Sequence, residues 1–299
     1  MFEGGNMQAL VNATNISFKN ILFLTDFSEA SESALAYALG LARHFGAELF
    51  PAHASDPVVL AETIAENVVE EVVQTSEKRL NAMVKESDIG VHPLFFRGGI
   101  DVALPNWIRE CGIDLVVLGT HGRRGLDRFI LGSTAEYIFR NSPCPVLTVG
   151  PHVAFRPYHG FTAESILFPT DLGSHANFAA SYALSFGHET HGTVTFMHVL
   201  TLEQTFQRDR AELIDSTYKK LQTLIPSDSR DWCKAEMIVE IGDPAMEVMA
   251  YAEKERPDLI VLGLPSNKRF STHFRAGVTY RIISGAPCPV LTIRSMASE

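Results

Sequence analysis

Two hydrophobic periods alternate along the chain. Ile21-Leu22-Phe23-Leu24 is a short continuous apolar run of the β type, and Ala30 to Phe45 carries small and apolar residues at helical spacing. Thr25-Asp26-Phe27-Ser28-Glu29 joins them, with Asp26 or Ser28 placed to cap the helix. A second apolar piece around Glu48-Leu49-Phe50 ends at Ala52-His53-Ala54. An amphipathic helix is expected from about Val58 to Ser87, starting after Pro57 and carrying Val68, Val69, Val72, Leu80 and Met83 along one face. Val91 to Arg97 reads as a strand, Gly98-Gly99 as a turn, and Asp101 to Cys111 as a helix with Asp101 at its N-cap and Pro105 in about its first turn. The run Asp114 to Leu118 is a further strand, Ser133 to about Asn141 a helix, and Pro145 to Val149 a closing strand. This alternation predicts an α/β fold with a parallel sheet covered by helices on both faces.

From Gly150 to Thr162 the chain is rich in Pro, His and Gly and has no period, as a linker does. The pattern then begins again. Ile166 to Asp171 repeats Ile21 to Asp26, and Met197-His198-Val199 repeats Ala52-His53-Ala54, both displaced by 145 residues. Asp258 to Gly263 repeats Asp114 to Gly119, and Pro287 to Thr292 repeats Pro143 to Thr148, both displaced by 144. The chain is therefore an internal duplication. Its expected divisions are an N-terminal extension over 1–18, a first domain over 19–150, a linker over 151–163 and a second domain over 164–299.

One stretch stands apart from this regular pattern. Gly119 to Thr134 reads GTHGRRGLDRFILGST, a loop of the form G-x2-G-x9-G-S-T between a buried strand and a helix. Unpaired amides at a helix N-terminus, together with the helix dipole, favour an anion, and glycines let backbone approach it closely. A phosphate is the ligand this predicts. The spacing fits neither the P-loop nor the dinucleotide fingerprint. A surface loop closed by a capping box, with Ser133 at the N-cap and Glu136 at N3, accounts for the same residues. Chemistry alone leaves both readings open. In the second copy the 144-residue displacement puts Gly263 on Gly119, Ser266 on Gly122, Ala276 on Gly132, Gly277 on Ser133 and Val278 on Thr134, so that site is expected to be weakened or empty.

Composition narrows the setting. The 299 residues are ordinary in apolar and charged content and long enough for about two domains. No apolar run approaches the roughly 18 residues of a membrane span, and Met1 to Phe18 lacks the basic and apolar regions of a signal peptide, with Met7 an alternative start. Cys111, Cys144, Cys233 and Cys288 are far apart with no C-x-x-C, which implies a reducing, cytoplasmic protein rather than a disulfide or zinc framework. The net charge of −10, with basic residues scattered apart from Arg123-Arg124, argues against nucleic acid as a partner. His188 and His191 flank an expected helix end with no third ligand near. His53 and His198 recur at a strand end, where a hydrogen-bonded structural role is expected. The two Asn-x-Ser/Thr sequences at Asn12 and Asn15 carry no weight without a signal peptide. No nucleophile and base are paired.

Thr25 to Glu29, the G-x2-G-x9-G-S-T loop and the closing Cys144-Pro145-Val146-Leu147-Thr148-Val149 together resemble a universal stress protein in its tandem form. The resemblance covers nearly everything after Lys19. It implies two doubly wound domains, each with a five-stranded parallel sheet in the order 3-2-1-4-5 and helices on both faces, and a nucleotide at the carboxyl ends of strands 1 and 4. Members with this glycine motif generally bind ATP, here with Mg²⁺. Transferred by position, Asp26 meets the nucleoside, Ala54 borders the adenine and Gly119 lies beside the ribose. Gly122, Gly132, Ser133 and Thr134 line the phosphates. His121, Arg123 and Arg124 are either charge-assisted contacts to phosphate or solvated loop surface.

The function expected on this basis is a nucleotide-dependent switch or scaffold in the stress response. The rivals are a slow ATP hydrolase using the same pocket and a ligand-free interaction module. Val146 to Val149 and Val290 to Ile293 are apolar strands expected at sheet edges, where they would pair in an intramolecular pseudo-dimer, and a homodimer is a further candidate.

Overall fold

A computed structural model describes residues 16–56, 66–82, 88–120, 132–153, 161–206, 209–227, 233–265 and 277–294. The chain falls into two compact units, one built on Ser17–Pro151 and the other on Thr162–Glu299.

In the first unit β1 (Asn20–Leu24) lies at the centre, parallel to β2 (Glu48–Ser55) on one side and to β4 (Leu115–Gly119) on the other. β3 (Leu94–Arg97) adds to β2 and β5 (Val146–Val149) to β4, all parallel, in the order β3-β2-β1-β4-β5. Ile21, Leu22 and Phe23 are all fully buried, as are Leu115, Val116 and Val117. Successive strand residues point to opposite faces, so burial of consecutive residues means that both faces are covered.

Helix α1 (Glu29–Phe45) packs on β1 and β4 through Ala34, Ala38, Leu41 and Ala42. Its small residues let the helix lie close to the strands. Ser28 is its N-cap, with the hydroxyl accepting from Ser31 N at 3.3 Å, and Gly46 closes it in the left-handed conformation. In α2 (Glu66–Ala82) the buried stripe is Val73, Ser76 and Leu80, with Val72 half-buried, while Val68, Val69 and Met83 lie outside the described side chains.

Helix α3 (Ile100–Glu110) departs from expectation in two ways. Its N-cap is Gly99 rather than Asp101, so Pro105 is the sixth helical residue and lies beyond the first turn. An interior proline has no N–H to give the carbonyl four residues back. That carbonyl belongs to Asp101, and the hydroxyl of Tyr137 donates to it at 3.2 Å. The tertiary bond satisfies the acceptor that proline leaves open, which is why the helix tolerates it. Tyr137 lies on α4 (Ser133–Asn141).

The second unit repeats the plan. β6 (Ser165–Pro169) is flanked by β7 (Thr193–Leu200) and β9 (Leu259–Leu264), with β8 (Lys234–Ile241) beyond β7 and β10 (Val290–Arg294) beyond β9. Its helices are α5 (Ala176–Thr190), α6 (Leu202–Phe206), α7 (Arg210–Thr223), α8 (Pro244–Glu255) and α9 (Val278–Gly285). Among the described residues no helix is long and apolar enough to cross a membrane.

A pair of histidines ties the central strand to its neighbour in each unit. His53 donates from Nδ1 to the Thr25 carbonyl at 2.7 Å, and His198 does the same to the Thr170 carbonyl at 2.7 Å. Burial is the largest influence on His198 and pushes its pKa below the ordinary histidine value of 6.5, against the carbonyl bond, which acts upward. A depressed native pKa means that stability is complete above the ordinary value and is lost as pH falls through the native one. Wild type should therefore lose more unfolding free energy than His198→Gln between about pH 7 and about pH 5 in urea titrations. Identical losses would show that His198 is not held neutral by the fold.

Candidate functional site

The direction of winding reverses between β1 and β4. After β1 the chain crosses to β2 on one side, and after β4 it crosses to β5 on the other, so the carboxyl ends of these two neighbours border a crevice. The expected site residues that are described lie on the elements around it.

At the end of β1 the backbone turns sharply. Thr25 Oγ1 accepts from Phe27 N at 2.9 Å and Asp26 Oδ1 from Ser28 N at 3.0 Å. Ser28, not Asp26, caps α1, which leaves Asp26 Oδ2 without a hydrogen-bond partner among the described residues. Between them Phe27 has φ 60°, a left-handed conformation that is strained for a bulky side chain. Its ring is held by its neighbours, with His53 at 4.8 Å between centroids and the Arg79 guanidinium 4.5 Å above it. Ala54 is half-buried near the end of β2 and paired with Phe96 of β3.

At the end of β4 two glycines do different things. Gly119 pairs with Val149, and a Cβ added to it would stand 2.5 Å from the Ala30 carbonyl oxygen and 2.9 Å from Ser31 N. Backbone cannot yield to such a contact, so the packing of α1 on β4 is enough to require glycine here. Gly132 has φ −61° and ψ 153°, open to any residue, and among the described residues its Cβ would meet only Thr120 O, at 3.8 Å. Neither its conformation nor packing among the described residues demands glycine at 132.

Gly132 is also the N-cap of α4, which overturns the capping box expected at Ser133 and Glu136. Its N–H donates to Thr120 O at 3.2 Å, while buried Thr120 donates its own N–H to Val149 O at 3.1 Å. This chain of bonds anchors the helix start to the end of β4. Ser133 is then the first helical residue, and Glu136, one place too far along to close the box, pairs with Arg140 at 2.9 Å. Among the described residues no side chain caps α4, and the amides of Ser133, Thr134 and Ala135 find no partner. The hydroxyl-bearing residues Ser133 and Thr134 are both exposed.

The structure thus sets Asp26, Ala54 and Gly119 at the carboxyl ends of three adjacent strands, β1, β2 and β4, with Gly132, Ser133 and Thr134 joined to β4 through Thr120. Gly122, His121, Arg123 and Arg124 lie outside the described residues. Sequence reasoning missed the strained Phe27 and the Arg79 stacked on it, and no residue-type signal announces either. Among the described residues no group of three or more His, Cys, Asp or Glu side chains is arranged to hold a metal ion.

The second copy keeps the frame. Thr170 Oγ1 accepts from Leu172 N at 3.0 Å, Asp171 Oδ1 from Gly173 N at 2.8 Å, and Leu172 has φ 59°. Helix α9 also starts from an uncapped glycine, Gly277, but its first residue is the exposed Val278 where α4 has Ser133. Counted from the cap, Thr279 follows where Thr134 does, so only one of the two hydroxyls expected to be lost is missing.

Two doubly wound units in tandem, each with a crevice where its winding reverses, define the class of protein. Residues 17–150 and again 162–294 match the universal stress protein family. The chain belongs to that family, in a two-domain form. It is 30% identical over 145 residues to universal stress protein MJ0531 of Methanocaldococcus jannaschii, covering 46% of this chain and 85% of that one. A universal stress protein of Thermus aquaticus is 32% identical over 135 residues, covering 44% of this chain and 98% of its own length. The fold is shared along most of the chain with a universal stress protein from Archaeoglobus fulgidus, whose crystal structure matches with a TM-score of 0.68 at 17% identity, over 96% of this chain and 100% of the other.

The two glycines should part company on substitution. Gly119→Ala forces a Cβ into backbone and should cost about 2–3 kcal/mol in urea unfolding. Gly132→Ser places a favoured N-cap residue on permitted dihedrals and should cost nothing, or stabilise by up to about 0.5 kcal/mol. Equal destabilisation by both would remove the distinction.

Proposed function

We propose that the first domain binds ATP with Mg²⁺ at the reversal between β1 and β4, and that the protein acts as a cytoplasmic nucleotide-dependent switch or scaffold in the stress response. The observation that carries this reading is the start of α4. A glycine that neither conformation nor described packing requires sits at the N-cap, followed by three amides without described partners and two exposed hydroxyl residues. Such a helix start suits a phosphate better than it suits a closed surface loop. Asp26 and Ala54 then face the nucleoside and Gly119 lies beside the ribose. Gly122, Gly132, Ser133 and Thr134 line the phosphates, which would themselves supply ligands to Mg²⁺.

In this reading bound nucleotide orders the glycine loop and the first turn of α4, and the surface so formed is what a partner protein recognises. The second domain, with Val278 at the first helical position, is a degenerate companion. The closing strands β5 and β10 each end one side of their own unit's sheet order, and the proposed pseudo-dimer pairs one with the other. Hydrogen exchange should find their outward-facing amides protected. Fast exchange of both strands in the folded protein would rule the pairing out.

The nucleotide claim is tested by denaturing the purified protein and separating what is released. Wild type should carry an adenine nucleotide, one per chain, while folded Gly122→Val and Gly132→Val should carry none. Added Mg-ATP should raise the melting temperature of wild type alone. A wild type that is empty and unmoved by Mg-ATP overturns the proposal in favour of a ligand-free interaction module. Conversion of bound ATP to ADP during single-turnover incubation would instead favour the slow hydrolase.

A further inference from the structure

The second copy differs from the first in a way that lies outside the glycine loop. Helix α1 starts at Glu29, four residues after Thr25, whereas α5 starts only at Ala176, six residues after Thr170. The shorter helix leaves His175, the counterpart of Ala30, outside as its N-cap, with φ −86° and ψ −7° and no capping bond from its side chain. The imidazole turns instead toward the carboxyl ends of β6 and β9.

Two glycines make room for that ring. A Cβ on Gly263 would stand 2.7 Å from His175 Cδ2, and a Cβ on Gly173 would stand 3.0 Å from Cε1 and 3.3 Å from Nδ1. Opposite edges of the imidazole thus rest where side chains would otherwise be. Its remaining nitrogen, Nε2, lies 3.4 Å from Asp171 Oδ1. The side chain is only 11% exposed, although it sits at a helix end. Gly263 and Asp171 are the counterparts of Gly119 and Asp26, the positions assigned above to the ribose and the nucleoside. At Gly119 the first turn of α1 fills the corresponding Cβ position with backbone, and among the described residues no side chain reaches from there to Asp26.

We propose that His175 is a built-in occupant of the second crevice, an aromatic ring that spans from Gly263 to Asp171 and keeps a nucleoside out. The degenerate loop removes phosphate contacts, and the imidazole adds an obstacle at the strand ends, where its Nε2 reaches Asp171. Asp171, whose side chain is 69% exposed, meets the ring through Oδ1, the oxygen that also accepts from Gly173 N. This inference rests on the reading of the first crevice as a nucleotide site.

Adenosine is the suitable probe, since it needs no phosphate contacts. Wild type, His175→Ala, His175→Ser and His175→Phe would be titrated with adenosine by calorimetry, and wild type separately with Mg-ATP. Alanine restores the residue of the first copy, serine keeps a favourable N-cap should alanine fail to fold, and phenylalanine retains a ring of similar reach. The expected result is one more adenosine equivalent per chain in His175→Ala and His175→Ser than in wild type, and none added in His175→Phe. Folded alanine and serine variants that bind no more adenosine than wild type overturn the inference, whatever wild type itself binds. Failure of wild type to bind Mg-ATP counts against the first-site reading alone, because the added equivalent is measured as a difference between variant and wild type.

Discussion

The contact of α1 with β4 at Gly119 governs the first unit. A parallel sheet whose winding reverses at its centre must bring a helix from one side across the end of a strand that belongs to the other. Here α1 follows β1, yet its first turn rests on β4, with Ala30 and Ser31 backbone where a side chain at 119 would stand. Only glycine permits that approach, and the alanine face of α1 continues it along the strands. This packing sets the start of α1 beside the crevice that the reversal of winding opens.

Its consequence for the site is that glycines in one motif answer to different constraints. Gly119 is explained from within the molecule, whereas Gly132 is explained by nothing described inside it. A serine at 132 would fold its hydroxyl back onto the amides of α4, as Ser28 does on α1, and would occupy the donors a ligand needs. Glycine keeps those donors open. The bond from Gly132 N to Thr120 O holds them beside β4 without any side chain taking part.

Much of the fold was legible because its signals are local and repeated. Both ends of α4 at Ser133 and Asn141, the apolar runs of β1 and β4 and the duplication follow from periodicity and composition. The misplaced features depend on long-range bonds. Ser133 followed by Glu136 fits a capping box on paper, and only the tie from Gly132 to Thr120 moves the cap one residue earlier. Pro105 inside α3 is permitted by Tyr137, 32 positions further along, which no window around the proline contains. Phe27 at φ 60° is the least readable of all, since bulky residues rarely adopt that conformation and residue type argues against it.

The strain at Phe27 invites a functional explanation, because residues held in costly conformations gather at active sites. The second copy argues otherwise. Leu172 has φ 59° in the equivalent turn, with the same threonine and aspartate bonds around it, although Val278 replaces the first hydroxyl residue of the following helix and His175 stands between Gly263 and Asp171. A conformation that costs about 1–2 kcal/mol is thus retained although the side chains around it differ between the copies. Strain at this turn therefore belongs to the reversal of the sheet, which needs a left-handed step to bring the first helix onto the neighbouring strand. What distinguishes the copies lies above that frame, in the side chains set upon it: Ser133 against Val278, and Ala30 against His175.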